Sequence, residues 1–220
     1  MWGEINEKLL NQTISEEKES GDVQLISGKT DLEIWRAFKS GDEIAFIHIY
    51  NQYFNTLFRY ASQFSRDRNF IKDAIQDLFF ELIRKRSKLS DTKSIKFYLL
   101  KSIKVNIISQ LKRKKIDYHD SISGFQFGLT LSVEDKIISL QLDEEKKLRI
   151  NHALNKLKTK QREIIYYYYF EDLELSEIAA LMHFNNPKSA QNLLYRALNS
   201  LKSYLLTVEL IVLVKFFHFF

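Results

Sequence analysis

Apolar residues recur along much of this chain at intervals of three and four, and short polar or glycine-bearing breaks cut the pattern into helix-sized pieces. The first piece holds Ile34, Trp35 and Phe38; Asp31 stands where it can cap the start, and Ser40-Gly41 marks the end. Asp42 can cap the next, from Ile44 to Phe64, which is dense in aromatics. A third piece runs from Phe70 to Arg86, a polar break follows from Ser87 to Ser94, and a fourth extends from Ile95 to Lys115. From Ile116 to Ser132 the periodicity fails. Gly124, Gly128 and scattered polar residues separate isolated apolar ones there, which fits a linker lying on a surface better than a core element. Helical spacing resumes near Val133 or Glu134 and continues toward Lys158, where Thr159 can cap a helix through Arg162, Glu163 and the aromatic run Tyr166 to Phe170.

Leu175 to Leu201 then reads as two short helices joined by a turn that cannot be helical, the outline of a helix-turn-helix. The first buries Ile178, Ala179 and Leu181 or Met182; the second buries Ala190, Leu194, Ala197, Leu198 and Leu201, a stripe that keeps to one helical face. Asn185, Asn186 and Pro187 break the pattern between them and also start the second helix. Pro at the first helical position lacks an N–H where none is needed, and Asn before it can cap. The outward side carries Lys188, Gln191, Asn192, Tyr195 and Arg196, donors suited to phosphates and base edges. A hairpin of this kind equally serves inside any helical bundle, and taken alone that is the commoner reading.

The composition agrees with an all-α protein. Among 220 residues there are one Pro and six Gly, and no Cys, which excludes disulfides, thiolate metal sites and a Cys nucleophile. The net charge of +5 is unevenly distributed: Glu4, Glu7, Glu16, Glu17, Glu19 and Asp22 stand against only Lys8 and Lys18 in residues 1–28. The leader is acidic and the body is correspondingly more basic than the total, which favours a polyanionic partner. No apolar stretch follows a basic start, so a secretory signal is not expected. His48, His119, His152, His183 and His218 have no metal-ligand spacing, and neither a glycine-rich phosphate loop nor a nucleophile motif occurs. An enzyme, a metal and a cofactor are therefore not expected.

Two helices carry opposite chemistry. From Lys101 to Lys115 there are six basic residues, Lys101, Lys104, Lys112, Arg113, Lys114 and Lys115, and no acidic one. Lys101, Lys104, Lys112 and Lys115 share one stripe, while Leu99, Ile103, Ile107 and Leu111 form another that can face a core. Without acidic partners for helical ion pairs, that stripe suits a nucleic-acid backbone. On the preceding helix, Asp73, Gln76, Asp77 and Glu81 lie beside an exposed Phe79 or Phe80, a combination that suits a basic protein partner, or an ordinary amphipathic helix.

Taken together, these residues resemble the sigma-70 family of bacterial RNA polymerase sigma factors, in its small two-domain extracytoplasmic-function branch. The likeness spans Asp31 to Leu205. Asp73-Ala74-Ile75-Gln76-Asp77-Leu78-Phe79 is similar to the family's core-binding helix, which implies that Asp73, Gln76, Asp77 and Phe79 meet the polymerase. Phe97-Tyr98-Leu99 through Asn106, with Leu111-Lys112-Arg113-Lys114, resembles the helix that opens the minus-10 element; Tyr98, Lys101, Lys104, Asn106, Lys112 and Arg113 are its DNA candidates. Leu157 with Arg162-Glu163-Ile164, Glu177-Ile178-Ala179 and Arg196-Ala197-Leu198 resembles the minus-35 domain. There Lys188, Ser189, Gln191 and Asn192 would read base edges and Arg196 would hold phosphate.

The resemblance implies two small helical domains joined by a flexible linker, the second containing the helix-turn-helix: a leader 1–28, a first domain 29–116, a linker 117–133, a second domain 134–206 and an apolar tail 207–220. It implies a cytoplasmic sigma factor whose partners are core RNA polymerase, promoter DNA and an anti-sigma factor. Two alternatives stand beside it: a helix-turn-helix regulator that does not engage polymerase, and a helical adaptor on a membrane surface. The chain departs from the family at Glu174, where a small hydroxyl residue usually caps; at His183, where Gly usually turns the chain; and at Lys158, which replaces a Pro. One extra residue separates Ala179 from Ala190, so the turn from His183 to Pro187 is expected to have its own geometry. The tail carries Glu209 and Lys215 and falls short of the roughly 20 apolar residues of a spanning helix. It reads as a docked helix or strand, with no stable membrane insertion.

Overall fold

The computed structural model describes residues 28–117, 127–129 and 144–217. The leader before Gly28, most of the linker, the helical start near Val133 and the end from His218 lie outside the described residues. Every regular element described is helical. Two compact units result, one of residues up to Tyr60 with Asn69–Ile107, the other of Ala61–Arg68 with Ile108 onward.

The first unit is built from α1 (Asp31–Ser40), α2 (Glu43–Ala61), α3 (Arg68–Lys85) and the first half of α4 (Ile95–Asp117). Thr30, not Asp31, caps α1. Its hydroxyl accepts from the Glu33 N–H at 3.4 Å while the Glu33 carboxylate accepts from the Thr30 N–H at 2.7 Å, a reciprocal capping box. Asp31 instead reaches across the fold and accepts from the Ile95 N–H at 2.8 Å, so a residue at the start of α1 caps α4. Gly41, at φ +100°, ends α1; its N–H donates to the Phe38 carbonyl and that of Asp42 to Ala37, both at 3.0 Å. Asp42 caps α2 as expected, accepting from Ile44 and Ala45 at 2.9 and 3.2 Å.

The core of this unit is aromatic. Trp35, fully buried, lies 5.4 Å from Phe38 and 4.8 Å from Tyr98 between ring centroids, and its indole N–H donates to the Ser90 carbonyl at 2.9 Å. That bond ties the polar break after α3 to α1, helped by Asp91, which pairs with Arg36 at 2.8 Å and Lys39 at 2.6 Å. The two ion pairs are exposed and contribute little by themselves. Burying the indole with its N–H satisfied is the larger effect.

The second unit contains α5 (Glu144–Lys156), α6 (Thr159–Ile165), a single π-helical turn (Tyr166–Phe170), α7 (Leu175–Leu181) and α8 (Pro187–Phe217). Lys158 is the residue that caps α6, and Thr159 is the first helical residue; the Lys158 N–H is satisfied by the Gln161 side-chain carbonyl at 3.1 Å. The aromatic run forms the π turn. Tyr166, Tyr167 and Phe170 point inward, Tyr168 and Tyr169 outward, and the Tyr166 hydroxyl donates to the buried Glu171 carboxylate at 2.8 Å. Asp172, at φ +49°, then turns the chain toward α7.

The linker was expected on a surface, yet Phe127 and Leu129 are 2% and 1% exposed and belong to the core of the second unit. The tail was expected as a docked helix or strand; its backbone from Thr207 to Phe217 is helical and continues α8 without a break, making one helix of 31 residues.

Candidate nucleic-acid interface

The helix hairpin of the second unit is fixed by its turn. The last turn of α7 closes with the His183 N–H donating to Ala180 at 3.4 Å and the Phe184 N–H donating to Ala179 at 2.8 Å, a Schellman pattern that requires a left-handed residue between. His183 takes that conformation, φ +57°, where glycine would be at ease. Asn186 then caps α8. Its side-chain oxygen accepts from the Ser189 N–H at 2.9 Å and the Ser189 hydroxyl at 3.1 Å, with Pro187 as the first helical residue. The unusual turn is thus an ordinary helix stop followed at once by an ordinary helix start, with a strained residue at the join.

Ala190, Leu193, Leu194 and Ala197 anchor α8 in the core, with Leu198 and Leu201 half-buried beyond them. Lys188, Gln191, Asn192, Tyr195 and Arg196 are exposed on the other side, Tyr195 at 67%. Four of the five residues proposed for base and phosphate contact therefore share one open face. Ser189 is half-buried with its hydroxyl donating to Asn186, so its first role is in the cap. The helix is also pinned from behind. Gln161 donates to the Arg196 carbonyl at 3.5 Å and to the Ser200 hydroxyl at 3.1 Å. Beside it, Arg162 donates to three carbonyls, Phe127 at 2.8 Å and Asn155 and Leu157 at 3.0 Å each. Burial lowers the Arg162 pKa from its ordinary value.

On α4, Leu99, Leu100, Ile103 and Ile107 are fully buried, and Lys101, Lys112 and Arg113 are exposed. Lys104 is half-buried, and the side chains of Lys114 and Lys115 lie outside those described. Lys101 sits over the Phe97 ring at 6.0 Å, and Val105 is 62% exposed in the same open face. Asn106 points the other way: half-buried, it donates its amide to the Ala74 carbonyl of α3 at 3.3 Å. Tyr98 is half-buried against Trp35. These two residues brace the helix, and Lys101, Lys112 and Arg113 are exposed on it.

Asp73, Gln76, Asp77 and Phe80 are exposed on α3. Phe79 is not: it is 4% exposed, 4.9 Å from Tyr50 and 6.1 Å from Phe46, while Phe80 at 48% is the surface aromatic. The expectation for Phe79 as a surface group is corrected. Its spacing contains the reason, since Ile71, Ile75 and Phe79 repeat at four residues on the core face, whereas Phe80 follows Asp73, Gln76 and Asp77. Glu81 pairs with Arg84 at 2.6 Å and Lys85 at 2.7 Å, and the hydrogen bond from Arg84, then that from Lys85, brings its pKa down to about 2. Its charge is locally compensated; Asp73 and Asp77 are the more exposed carboxylates of the face.

Periodicity did not reveal Gln161, Phe127 or Leu129, nor the clamp made by Arg162. Gln161 and the Arg162–Phe127 bond reach partners 35 or more positions away, and the other two Arg162 acceptors, Asn155 and Leu157, lie across the break before α6. The alternation in Phe125-Gln126-Phe127-Gly128-Leu129 was the available signal for an extended, half-buried segment.

Comparison with known families places both units. A family model described as sigma-70 region 2 matches residues 49–116, and one described as sigma-70, region 4 matches residues 147–201. No curated protein matches the chain. Among solved structures, a chain from the structure of CnrH in complex with the cytosolic domain of CnrY superposes with a TM-score of 0.55 at 16% identity, covering 80% of this chain and 97% of that one. A chain from the complex of the sigma factor RpoE with the anti-sigma factor NepR from Bartonella quintana gives 0.54 at 20% identity, covering 73% and 96%. At such identities the two structures establish a shared fold.

Proposed function

Because the chain belongs to the sigma-70 family, in its extracytoplasmic-function branch, it is a non-catalytic factor that directs RNA polymerase to promoters for transcription initiation, and we propose that three separate faces divide this work. Asp73, Gln76 and Asp77, with Phe80 as the apolar contact, form the polymerase-facing surface of α3. Lys101, Lys104, Lys112 and Arg113 on α4 hold the backbone of the opened minus-10 strand, with Val105 among them offering apolar area to an unpaired base. Lys188, Gln191, Asn192 and Arg196 on α8 meet the minus-35 groove, the first three toward base edges and Arg196 toward phosphate.

One observation carries this division: α3 and α4 lie in the region 2 match and expose faces of opposite charge, while the third face lies in the region 4 match. The phosphate-facing helix offers lysines and an arginine, and the protein-facing helix offers carboxylates beside an aromatic. The site of action is then the cytoplasm, where polymerase and DNA are. No helix among the described residues is long and apolar enough to cross a membrane. An anti-sigma factor is the expected regulator, as one is bound to RpoE in the Bartonella quintana complex.

Reconstitution with core polymerase on genomic fragments, followed by mapping of transcript starts, tests the assignment. Asp77→Lys is expected to weaken polymerase binding about tenfold, equivalent to about 1.4 kcal/mol. Lys188→Ala is expected to spare polymerase binding, weaken promoter binding and lower its salt slope by about 1. The reverse pattern would overturn the division of labour. Pull-down of core polymerase by the wild-type chain separates this reading from a DNA-binding regulator that works without polymerase.

A further inference from the structure

Tyr195 shares the open face of α8 with Lys188, Gln191, Asn192 and Arg196, and it is the one aromatic ring among these polar side chains. It is 67% exposed, and among the described residues it makes no hydrogen bond, ion pair or ring contact. Its neighbours along the helix are engaged: Leu194 and Ala197 are buried, and Arg196 Nε donates to the Asn192 carbonyl one turn back at 3.3 Å. Helix geometry places the ring on the face. At roughly 100° per residue, Lys188 lies about 20° from Tyr195 around the helix axis; Gln191 lies about 40° to one side, with Asn192 about 60° and Arg196 about 100° to the other. Tyr195 therefore stands between the two amides, and Arg196 stands at the edge. When such a helix lies in the major groove, side chains in the middle of its face look onto base edges, and those at its edge look onto the phosphate walls.

We infer that Tyr195 reads the 5-methyl group of a thymine in the minus-35 groove, an inference that rests on α8 being the groove-facing helix. The major-groove edges of guanine, adenine and cytosine present hydrogen-bond donors and acceptors. Thymine adds a methyl group, the apolar feature that an aromatic ring can cover. Lys188, Gln191 and Asn192 supply the polar half of the reading, and Tyr195 supplies the apolar half. In the free protein the ring lies in water, so covering it with a methyl group removes apolar area of both from water. The side chain has only two torsions, and fixing it against a base costs little conformational freedom. Tyr195 carries no charge. It therefore selects which sequence is bound and leaves the salt dependence of binding to the lysines and Arg196. The hydroxyl, at the far end of the ring, is not required for the contact.

The test uses the full-length chain with core polymerase on promoters whose starts have been mapped. Each thymine of the upstream element, on either strand, is replaced in turn by uracil, which keeps every hydrogen-bonding group and lacks only the methyl. At one thymine the wild type is expected to lose about fourfold in affinity, the worth of one buried methyl group. Tyr195→Ala is expected to bind the thymine promoter more weakly and to show no loss at that position, so the protein and base changes are not additive. Tyr195→Phe should keep the fourfold loss, and the salt slope should be the same for all three proteins. An upstream element without thymine, a wild type indifferent to every replacement, or equal uracil losses in wild type and Tyr195→Ala at every thymine would overturn the assignment. Loss of methyl sensitivity in Tyr195→Phe would give the contact to the hydroxyl and overturn it as well. Lys188→Ala separates this inference from the promoter reading. Weaker binding with a lower salt slope in that variant, beside a silent uracil scan, removes Tyr195 alone. Promoters that ignore their upstream element remove the groove-facing role of α8, and Tyr195 with it.

Discussion

The exposed faces of α4 and of α8 both offer donors to nucleic acid, yet they are held in place by different means. Behind Lys101 stands an apolar wall of Leu99, Leu100, Ile103 and Ile107, with Asn106 strapped to the Ala74 carbonyl and Asp31 capping the helix start at Ile95. Behind Lys188 and Arg196 the apolar wall alternates sizes, Leu193 and Leu194 filling it while Ala190 and Ala197 contribute only methyl groups. The position of α8 depends as well on polar pins from Gln161, Asn186 and the Schellman turn at His183. Broad apolar burial has no direction, so it fixes which face is hidden and tolerates small shifts. Hydrogen bonds to named backbone atoms have direction, and they are suited to a helix that must present side chains to base edges in one register.

Substitutions can separate the two modes. Trp35→Ala removes the central aromatic of the first unit and should cost it about 3–5 kcal/mol, seen as an early unfolding transition by calorimetry while the second unit melts as before. If both transitions moved together, the two cores would not be distinct. Arg162→Met keeps much of the side chain's volume but leaves three carbonyl acceptors without their donor, which should destabilise the second unit by about 2–3 kcal/mol in chemical denaturation. A near-neutral result would mean that apolar packing alone holds the second unit, and the contrast drawn above would fail.

Two smaller changes test the turn alone. Asn186→Ala removes the cap of α8 and should cost about 1 kcal/mol. Weaker binding of a minus-35 duplex at a temperature where the variant remains folded would show that the cap also sets the register of the helix. His183→Gly relieves the left-handed conformation and should raise stability by about 0.5–1 kcal/mol, read as a small upward shift of the second transition. A loss of stability there would show that the imidazole makes a contribution larger than its backbone strain.

The parts that were legible in the chain are those whose causes are local. Asp42 capping α2, Gly41 ending α1 and Asn186-Pro187 opening α8 involve residues within a few positions of their partners, and these were recognised as such. The core stripes of α4 and α8 were legible for the same reason, since a helix repeats its face every few residues. Assigning Asp31 to α1 failed because its partner, Ile95, is 64 positions away. Thr159 carries the hydroxyl that favours a cap, whereas in the fold it is the first helical residue and the Lys158 N–H before it is satisfied by Gln161. Phe127 was read as surface linker because three isolated residues have no period to reveal a buried face.

What the amino-acid order determined by itself was the all-α class, the breaks between helices, the helix-turn-helix and the charge of each outward face. All of these follow from periodicity, capping and composition, which act over a turn or two of chain. Tertiary structure decided which of two adjacent aromatics on α3 is buried, which residue caps α4, and that a piece of linker completes the second core. It also decided that Arg162 spends its guanidinium on the carbonyls of Phe127, Asn155 and Leu157. A buried donor must find its acceptors wherever the folded chain brings them, and that distance in space is not written in the spacing of the sequence.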